Sequence, residues 1–376
     1  MSSNTVVVIG GGPGGLRAAH GVAEIGGKVV LIEQRGFLGG NPVAESYAGL
    51  TPHGEPAQPQ IRQMIDLVAA HPGVEVRLGT EVTGMVGEPG AFTLALRPSE
   101  APAAGTGVAG TPAARTGVEH TAAEEAVECG AVIIATGFGH FDPGRSTQMY
   151  GYYEFPDVIT QPDLEVMLSE HRVLRPSNHQ PPERICFIQC VGSRDRQIGN
   201  EYCSKVCCGV ASKEAIEIRK LLPGSKVFIF YIDMRMYGYW ENEIYWPAQE
   251  QHHVQYVKGL ITEVLPKGDR LLVRGEDTTM GRPMELPMDL VVLSVGMEPS
   301  SGTRHVASLF GVKQNKYGFI EAAGAPLDPV STDREGIFAC GAALGPADLE
   351  DTVCSAAGAA VRAVSYLRSR SAAALN

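Results

Sequence analysis

Thr5-Val6-Val7-Val8-Ile9-Gly10-Gly11-Gly12-Pro13-Gly14-Gly15-Leu16-Arg17-Ala18-Ala19 is the stretch on which the fold turns. Its first five residues are all β-branched, as expected of a strand buried on both faces in a parallel sheet. Gly10, Gly12 and Gly15 fill a G-x-G-x-x-G pattern, and a helix opens through Leu16-Arg17-Ala18-Ala19. The first glycine permits the tight turn, the second admits a pyrophosphate to the backbone, and the third lets helix and strand pack closely. The helix start, where Pro13 presets the first turn and Gly14 follows, offers the amide donors after the proline to the phosphates. A second strand, Lys28-Val29-Val30-Leu31-Ile32, ends at Glu33, 18 residues after Gly15. A carboxylate there can accept hydrogen bonds from an adenosine ribose, and its charge argues against a 2′-phosphate. Gly39-Gly40-Asn41 follows and suits a further wrap around the pyrophosphate, because close phosphate approach favours glycine. Gln34 and Val82 complete the dinucleotide-contact candidates of this half.

The 376 residues carry 42 acidic against 31 basic side chains, a net charge of −11. With no Lys/Arg-rich block, that balance leaves no footprint for a phosphate backbone, so nucleic-acid binding is not expected. The apolar runs fall far short of the roughly 20 residues of a membrane-spanning helix. Met1-Ser2-Ser3-Asn4-Thr5 lacks a signal-peptide layout, which makes a reducing cytoplasm the expected setting. There the eight cysteines are ligands, redox groups or buried thiols rather than a disulfide framework. Glycines and prolines punctuate short apolar runs, the pattern of an α/β protein. Residues 98–127, rich in Ala, Gly, Pro, Thr and Glu, read as a flexible surface insertion with little to bury. Residues 176–182, with three prolines, read as a linker.

Beyond that linker the strand and helix pattern returns, with a strand over 184–189, a helix around 212–222 and a strand over 226–233. The first of these strands runs into Cys190-Val191-Gly192-Ser193-Arg194 without a glycine fingerprint, so an ordinary NAD(P)H site is not expected. Cysteines stand in its place. Cys190, Cys203, Cys207 and Cys208 follow a C-x12-C-x3-C-C spacing within 19 residues. Four thiolates are the ligand number and type for a cubane iron-sulfur cluster, and soft sulfur selects iron-sulfur or zinc over hard cations. The adjacent pair departs from the knuckles of structural zinc. On spacing alone, zinc, a vicinal dithiol redox site and plain buried thiols stay open beside the cluster. Cys129, Cys186, Cys340 and Cys354 lie among apolar or small residues and read as buried thiols. His252-His253 reads as a surface loop, and Tyr237, Tyr239, Trp240, Tyr245 and Trp246 as core or interface packing.

Two later strands end in small residues: 131–137, closing on Ala135-Thr136-Gly137, and 336–341, closing on Gly341 before a helix from about Asp351. With the N-terminal motif, this set resembles the two-dinucleotide-domain flavoproteins of the thioredoxin and glutathione reductase kind. The resemblance implies an α/β fold with parallel Rossmann-type sheets and FAD as cofactor. It places Ala135, Thr136 and Gly137 at the close of the FAD domain, and Gly341, Ala342, Thr352 and Val353 among the flavin contacts. Ala342 stands where many of that group carry an Asp. The expected division is an FAD-binding domain of residues 1–155 and 300–376 around an NAD-domain-like module of residues 156–299.

The segments Phe187-Ile188-Gln189-Cys190-Val191-Gly192-Ser193-Arg194-Asp195, Tyr202-Cys203-Ser204-Lys205-Val206-Cys207-Cys208 and Tyr231-Ile232-Asp233-Met234-Arg235 narrow the resemblance. With Gly345-Pro346, Asp348 and Asp351-Thr352-Val353, they resemble the signature of the heterodisulfide reductase A-subunit family, including its sulfur-oxidation relatives. This implies that Cys190, Cys203, Cys207 and Cys208 hold one 4Fe-4S cluster. It also implies that Lys213, five residues after the double cysteine, lies near flavin N5, against the plainer reading of a solvated helix lysine. The ferredoxin runs of methanogen members are missing here, and the cysteine-free tract 98–127 stands about where one such module is inserted. The short form resembles the A-subunit homologue of the sulfur-oxidising heterodisulfide-reductase-like complex. That resemblance implies a homodimer passing electrons between FAD and the partner B and C subunits, with a lipoate-binding protein as sulfur carrier. Two competing readings are a stand-alone flavin disulfide reductase using Cys207 and Cys208, and a structural flavin-binding protein in which metal only holds the fold.

Overall fold

The N-terminal β-branched run forms the strand Thr5–Ile9, with Val6, Val7 and Val8 wholly buried. Each such side chain contributes about 1.5–3 kcal/mol when fully withdrawn from water. The strand is the centre of a five-stranded parallel sheet ordered Ile337–Ala339, Ala131–Ile134, Thr5–Ile9, Lys28–Ile32, Val74–Arg77. Alternate residues serve opposite faces, as the pleat requires. Val6 and Val8 pack with Leu16 and Val22 of the helix Pro13–Glu24 and with Ala356, Ala360 and Leu367 of the helix Leu349–Ala373. Val7 and Ile9 pack with Phe92, Leu94 and Leu96, which belong to an antiparallel sheet of Thr80–Glu88, Ala91–Pro98 and Glu125–Cys129.

A second, seven-stranded sheet runs Arg282–Met288, Arg270–Asp277, Gln255–Lys267, Lys226–Tyr231, Arg184–Val191, Leu290–Val295, Val158–Thr160. The first three strands pair antiparallel and the rest parallel. Ile185 and Phe187 face Ala211, Ala215 and Ile218 of the helix Cys207–Leu221, while Cys186 and Ile188 face Phe141, Val264 and Val273.

This computed structural model describes residues 4–51, 54–99, 125–146 and 150–373. The chain forms two compact units, one of residues 1–46, 58–139 and 298–376, the other of residues 47–57 and 140–297. The second unit therefore begins earlier than the expected residue 156 and recruits a segment from the first expected domain. The cause is bonding between residues far apart in sequence: the Ala48 N–H donates to Glu165, Gly49 O accepts from Lys213, and Phe141 sits in the core of the seven-stranded sheet. The expected insertion 98–127 is shorter at both ends, because Leu96 pairs with Glu125 and Leu94 with Val127 across adjacent strands. Its remaining residues, 100–124, lie outside the described residues.

Residues 176–182 are not a linker between units. They turn inside the second unit, where Ser177 donates through its N–H and Oγ to the buried Asp157, itself paired with Arg175 at 2.9 Å. The helix expected from Ser212 starts at Cys207, since Cys208, Gly209 and Ala211 pack inward and continue the turn. Among the described residues no helix is long and apolar enough to cross a membrane.

Candidate functional site

In both sheets the residues that matter lie between the end of the strand flanked on both sides by crossovers and the start of the next helix, the place where open α/β sheets bind ligands. In the first unit this is a short turn, residues 10–12. Gly10 has φ +108°, and a Cβ there would lie 2.4 Å from Ala135 O. A Cβ on Gly15 would lie 1.7 Å from Gly10 O, so only glycine lets the helix come this near the turn. The loop after the second strand folds over it, with the Gly39 N–H on Gly11 O at 2.8 Å and Gly40 against Gly12. Thr352 closes another side, its Cγ2 within 3.2 Å of where a Cβ on Gly14 would lie and 2.9 Å for Gly341. No side chain caps the helix Pro13–Glu24. Its first amides thus face a bare glycine-walled cradle that fits a pyrophosphate.

Glu33 borders the same turn from the end of the second strand. Its Oε2 accepts the Gly11 N–H at 2.6 Å and its Oε1 the Arg35 N–H at 2.8 Å, which leaves acceptor capacity on both oxygens. Burial pushes its pKa above the ordinary value, although the N–H bonds from Arg35 and Gly11 oppose the shift. Of the other candidates, Gly12, Pro13, Gly14, Gly40, Ala135 and Gly341 border the same turn, and Ala342 is buried in the short helix Gly341–Ala343. Asn41 donates to Phe138 O at 3.3 Å, and Val353 follows Thr352 on the helix Leu349–Ala373. Gln34 is exposed, and the Val82 side chain is buried in the neighbouring antiparallel sheet. Sequence reasoning missed Ser300 and Thr303. Ser300 Oγ donates to Thr136 O and Thr303 Oγ1 to Gly137 O, each at 2.9 Å, which pins the turn Ala135–Gly137.

In the second unit the matching place is the long loop 192–206. Gly192 and Arg194 take positive φ, the Arg194 N–H donates to Tyr202 O, and Asn200 Nδ2 donates to Gly192 O, so the loop doubles back and returns Cys203 toward the strand end. Cys190 itself has φ +63°. Cys207 and Cys208 are buried in the first turn of the helix Cys207–Leu221.

The thiol of Cys207 hydrogen-bonds to both Cys190 and Cys208. That bond, together with the Arg194 and Arg235 charges, outweighs burial and lowers the Cys190 pKa to about 7. Cys208 is lowered for the same first reason, and Cys207, the donor, is raised well above its ordinary value. The Lys205 N–H donates to Cys203 Sγ at 3.3 Å. Among the described residues no three His, Cys, Asp or Glu side chains converge on a single ion. The fit of a soft-metal group therefore rests on the donor chemistry: four cysteine sulfurs on one strand end, loop and helix start, with N–H and guanidinium donors aimed at sulfur.

Residues 4–163 match the pyridine nucleotide-disulphide oxidoreductase family. The chain is 32% identical to the A subunit of ferredoxin:CoB-CoM heterodisulfide reductase from Methanosarcina acetivorans, over 96% of this chain and 56% of that one. It is likewise 32% identical to the first iron-sulfur A subunit of CoB–CoM heterodisulfide reductase from Methanopyrus kandleri, over 96% and 63%. The chain belongs to the heterodisulfide reductase A-subunit family. It spans about 56–63% of the length of these relatives. Its fold is that of thioredoxin reductase from T. acidophilum, with a TM-score of 0.63 at 17% identity over 96% of this chain and 99% of that one. This heterodisulfide reductase family member is thus an oxidoreductase of the flavoprotein class in family and fold.

Lys213 of this family member is not a solvated helix lysine. It is buried, with Nζ donating to Glu165 Oε1 at 2.5 Å and to Gly49 O at 2.8 Å. Burial works against its charge, but Glu165, Glu217 and Glu214 outweigh it and leave the Lys213 pKa raised. Burial, with repulsion from Glu165, pushes the Glu214 pKa well above its ordinary value. The sequence carries no signal for Glu165, which comes from a different helix, Gln161–Ser169.

Three other expectations sort by exposure. Cys129 and Cys340 are buried, with their thiols pushed up to about 12 by burial, and Cys186 is buried as well. Cys354 departs from the expectation: it is exposed, because the helix Leu349–Ala373 turns only one of its small-residue faces to the sheet. Trp240 packs on Gly209 in the core, whereas Tyr239 and Trp246 are exposed, and His253 lies in an exposed turn.

Proposed function

We propose that this chain is an electron-transfer subunit that binds FAD in its first unit and one 4Fe-4S cluster on Cys190, Cys203, Cys207 and Cys208 in its second. The observation that carries this reading is that equivalent places in two similar sheets hold an anion cradle in one and four cysteines in the other. In the first unit the amides at the start of Pro13–Glu24 and the bare glycines hold the pyrophosphate, and Glu33 accepts from the ribose. In the second unit the cysteine sulfurs are the ligands, with the Lys205 N–H and Arg194 oriented on them. When bound, FAD and the cluster supply the exchange between two-electron and one-electron chemistry. No acid–base residue is needed for such a relay; the protein sets positions and charges.

The finer reading is a component of a heterodisulfide-reductase-like complex in sulfur oxidation, working as a homodimer with the B and C subunits and a lipoate-binding sulfur carrier. Two facts support its heterodisulfide-reductase-like part. Relatives of this chain are named as A subunits of heterodisulfide reductases. The match to the M. acetivorans protein also runs over 454 positions for a chain of 376 residues, so that relative carries inserted residues inside the matched span.

Anaerobic purification with iron, sulfide and flavin quantitation and EPR tests the reading. About four irons per flavin, with an EPR signal abolished by Cys207→Ser while flavin stays bound, is the expected result. Flavin without iron or sulfide, even after reconstitution, overturns the relay and leaves a dithiol flavoenzyme using Cys207 and Cys208. Zinc in place of iron leaves a structural metal.

A further inference from the structure

We propose that Arg194 is a positioning residue that holds Cys190 and raises the reduction potential of the bound cluster, with Asp233 anchoring the guanidinium and opposing its effect. This rests on the cluster reading of the four cysteines.

The arrangement starts from the backbone. Arg194 sits at φ +56° in the doubled-back loop, its N–H fixed on Tyr202 O at 2.9 Å. That conformation turns its side chain back to the strand end. Nη1 comes within 4.0 Å of Cys190 Sγ, and Nη2 donates to Asp233 Oδ2 at 2.7 Å. Asp233 touches the cysteine set a second time, because its carbonyl oxygen accepts the Cys208 thiol at 3.9 Å and the N–H of Arg235 also reaches Cys208. One short segment, 233–235, therefore braces both ends of the cysteine set, on the Cys190 side through Arg194.

The two charges do not cancel at sulfur. The Arg194 side chain is 18% exposed, whereas Asp233 is 51% exposed, so water screens the carboxylate more than the guanidinium. Reducing a thiolate-bound cluster by one electron adds one negative charge to the cage and breaks no bond. A guanidinium close to a ligand sulfur stabilises that added charge, and it stays protonated at every working pH. Deleting it must make the cluster harder to reduce, whereas deleting the Asp233 charge must make it easier.

The full chain with its cofactors, purified anaerobically, is compared with Arg194→Gln, Arg194→Lys and Asp233→Asn. Iron and acid-labile sulfide are counted, and the cluster midpoint is read by EPR-monitored titration. The expected result is a downward shift in Arg194→Gln, so that the reduced fraction at a fixed potential falls several-fold. A partial return in Arg194→Lys and an upward shift in Asp233→Asn complete the pattern.

Should Arg194→Gln lose its iron, the opposite-signed shift in Asp233→Asn and an intermediate value in Arg194→Lys still decide the matter. An unmoved midpoint in those variants, or shifts of one sign for both charges, overturns the inference while leaving the cluster intact. A wild-type protein without iron or sulfide overturns the cluster reading and this inference with it.

Discussion

Each sheet has a strand flanked on both sides whose following crossover opens a gap, and the two gaps are filled with opposite chemistry. After Thr5–Ile9 the chain needs only residues 10–12 to enter a helix, and after Arg184–Val191 it takes residues 192–206. Each helix has a glycine at its third position, Gly15 or Gly209, but the two meet different walls. A Cβ on Gly15 would strike the backbone oxygen of Gly10 at 1.7 Å, whereas one on Gly209 would meet the Trp240 ring at 2.9 Å. A backbone wall at 1.7 Å cannot yield, whereas a side chain at 2.9 Å needs to give only a little. The short turn presents backbone amides and leaves no room for side chains. The long loop brings sulfur and a guanidinium instead. Topology thus fixes where a ligand sits, and the length of the loop decides whether backbone or side chains meet it.

The sharpest way to break this contrast is to put the same methyl group in both places. Gly15→Ala is expected to abolish flavin binding and to destabilise the first unit by ~3 kcal/mol or more, at the top of the overpacking range. Gly209→Ala is expected to stay within ~1 kcal/mol of the parent, because the gain in helix propensity offsets the displaced ring. Flavin absorbance per chain and chemical denaturation check both, and equal effects would remove the distinction.

A smaller effect separates the acid of the first unit from its glycines. Glu33→Gln loses a charge-assisted acceptor for Gly11 and the ribose, so flavin affinity is expected to fall about tenfold at neutral pH. Because burial raises the Glu33 pKa, its proton returns at a higher pH than on an ordinary glutamate. Flavin retention in the parent should therefore decline as pH falls through the mildly acidic range, with a flatter profile in Glu33→Gln. Fluorescence of released flavin against pH reads this directly.

The smallest expected change lies beyond the cysteine loop. Burial and Glu165 raise the Glu214 pKa in the fold above its ordinary value, so the folded state binds more protons over the interval between the two. Stability from this site must fall as pH rises above the unfolded value. Glu214→Gln, which mimics the protonated acid and can still accept from Gln161, should make the melting temperature less dependent on pH. A profile as steep as the parent's would assign the pH dependence to other groups.

Much of this was legible along the chain. The turn at Gly10 to Gly15, the acid at Glu33 and the strands Lys28–Ile32 and Ala131–Ile134 are local patterns, because a buried parallel strand must be apolar throughout and a phosphate turn must be bare. Long-range bonds were invisible. The Ala48 N–H and Gly49 O find Glu165 and Lys213 more than a hundred residues away, and Asp157 holds the turn that three prolines made look like a linker.

By itself the sequence determined the strand–turn–helix units at Gly10 to Gly15 and around Cys190, and the set of four cysteines, since each of these depends on residues near one another along the chain. Only the tertiary structure decided that Arg194 reaches Cys190 from a loop anchored on Asp233, that Lys213 is buried against Glu165, and that Cys354 faces outward. Those outcomes follow from which elements pack together, and the free energy of burying a charge or a thiol depends on neighbours that spacing along the chain does not encode.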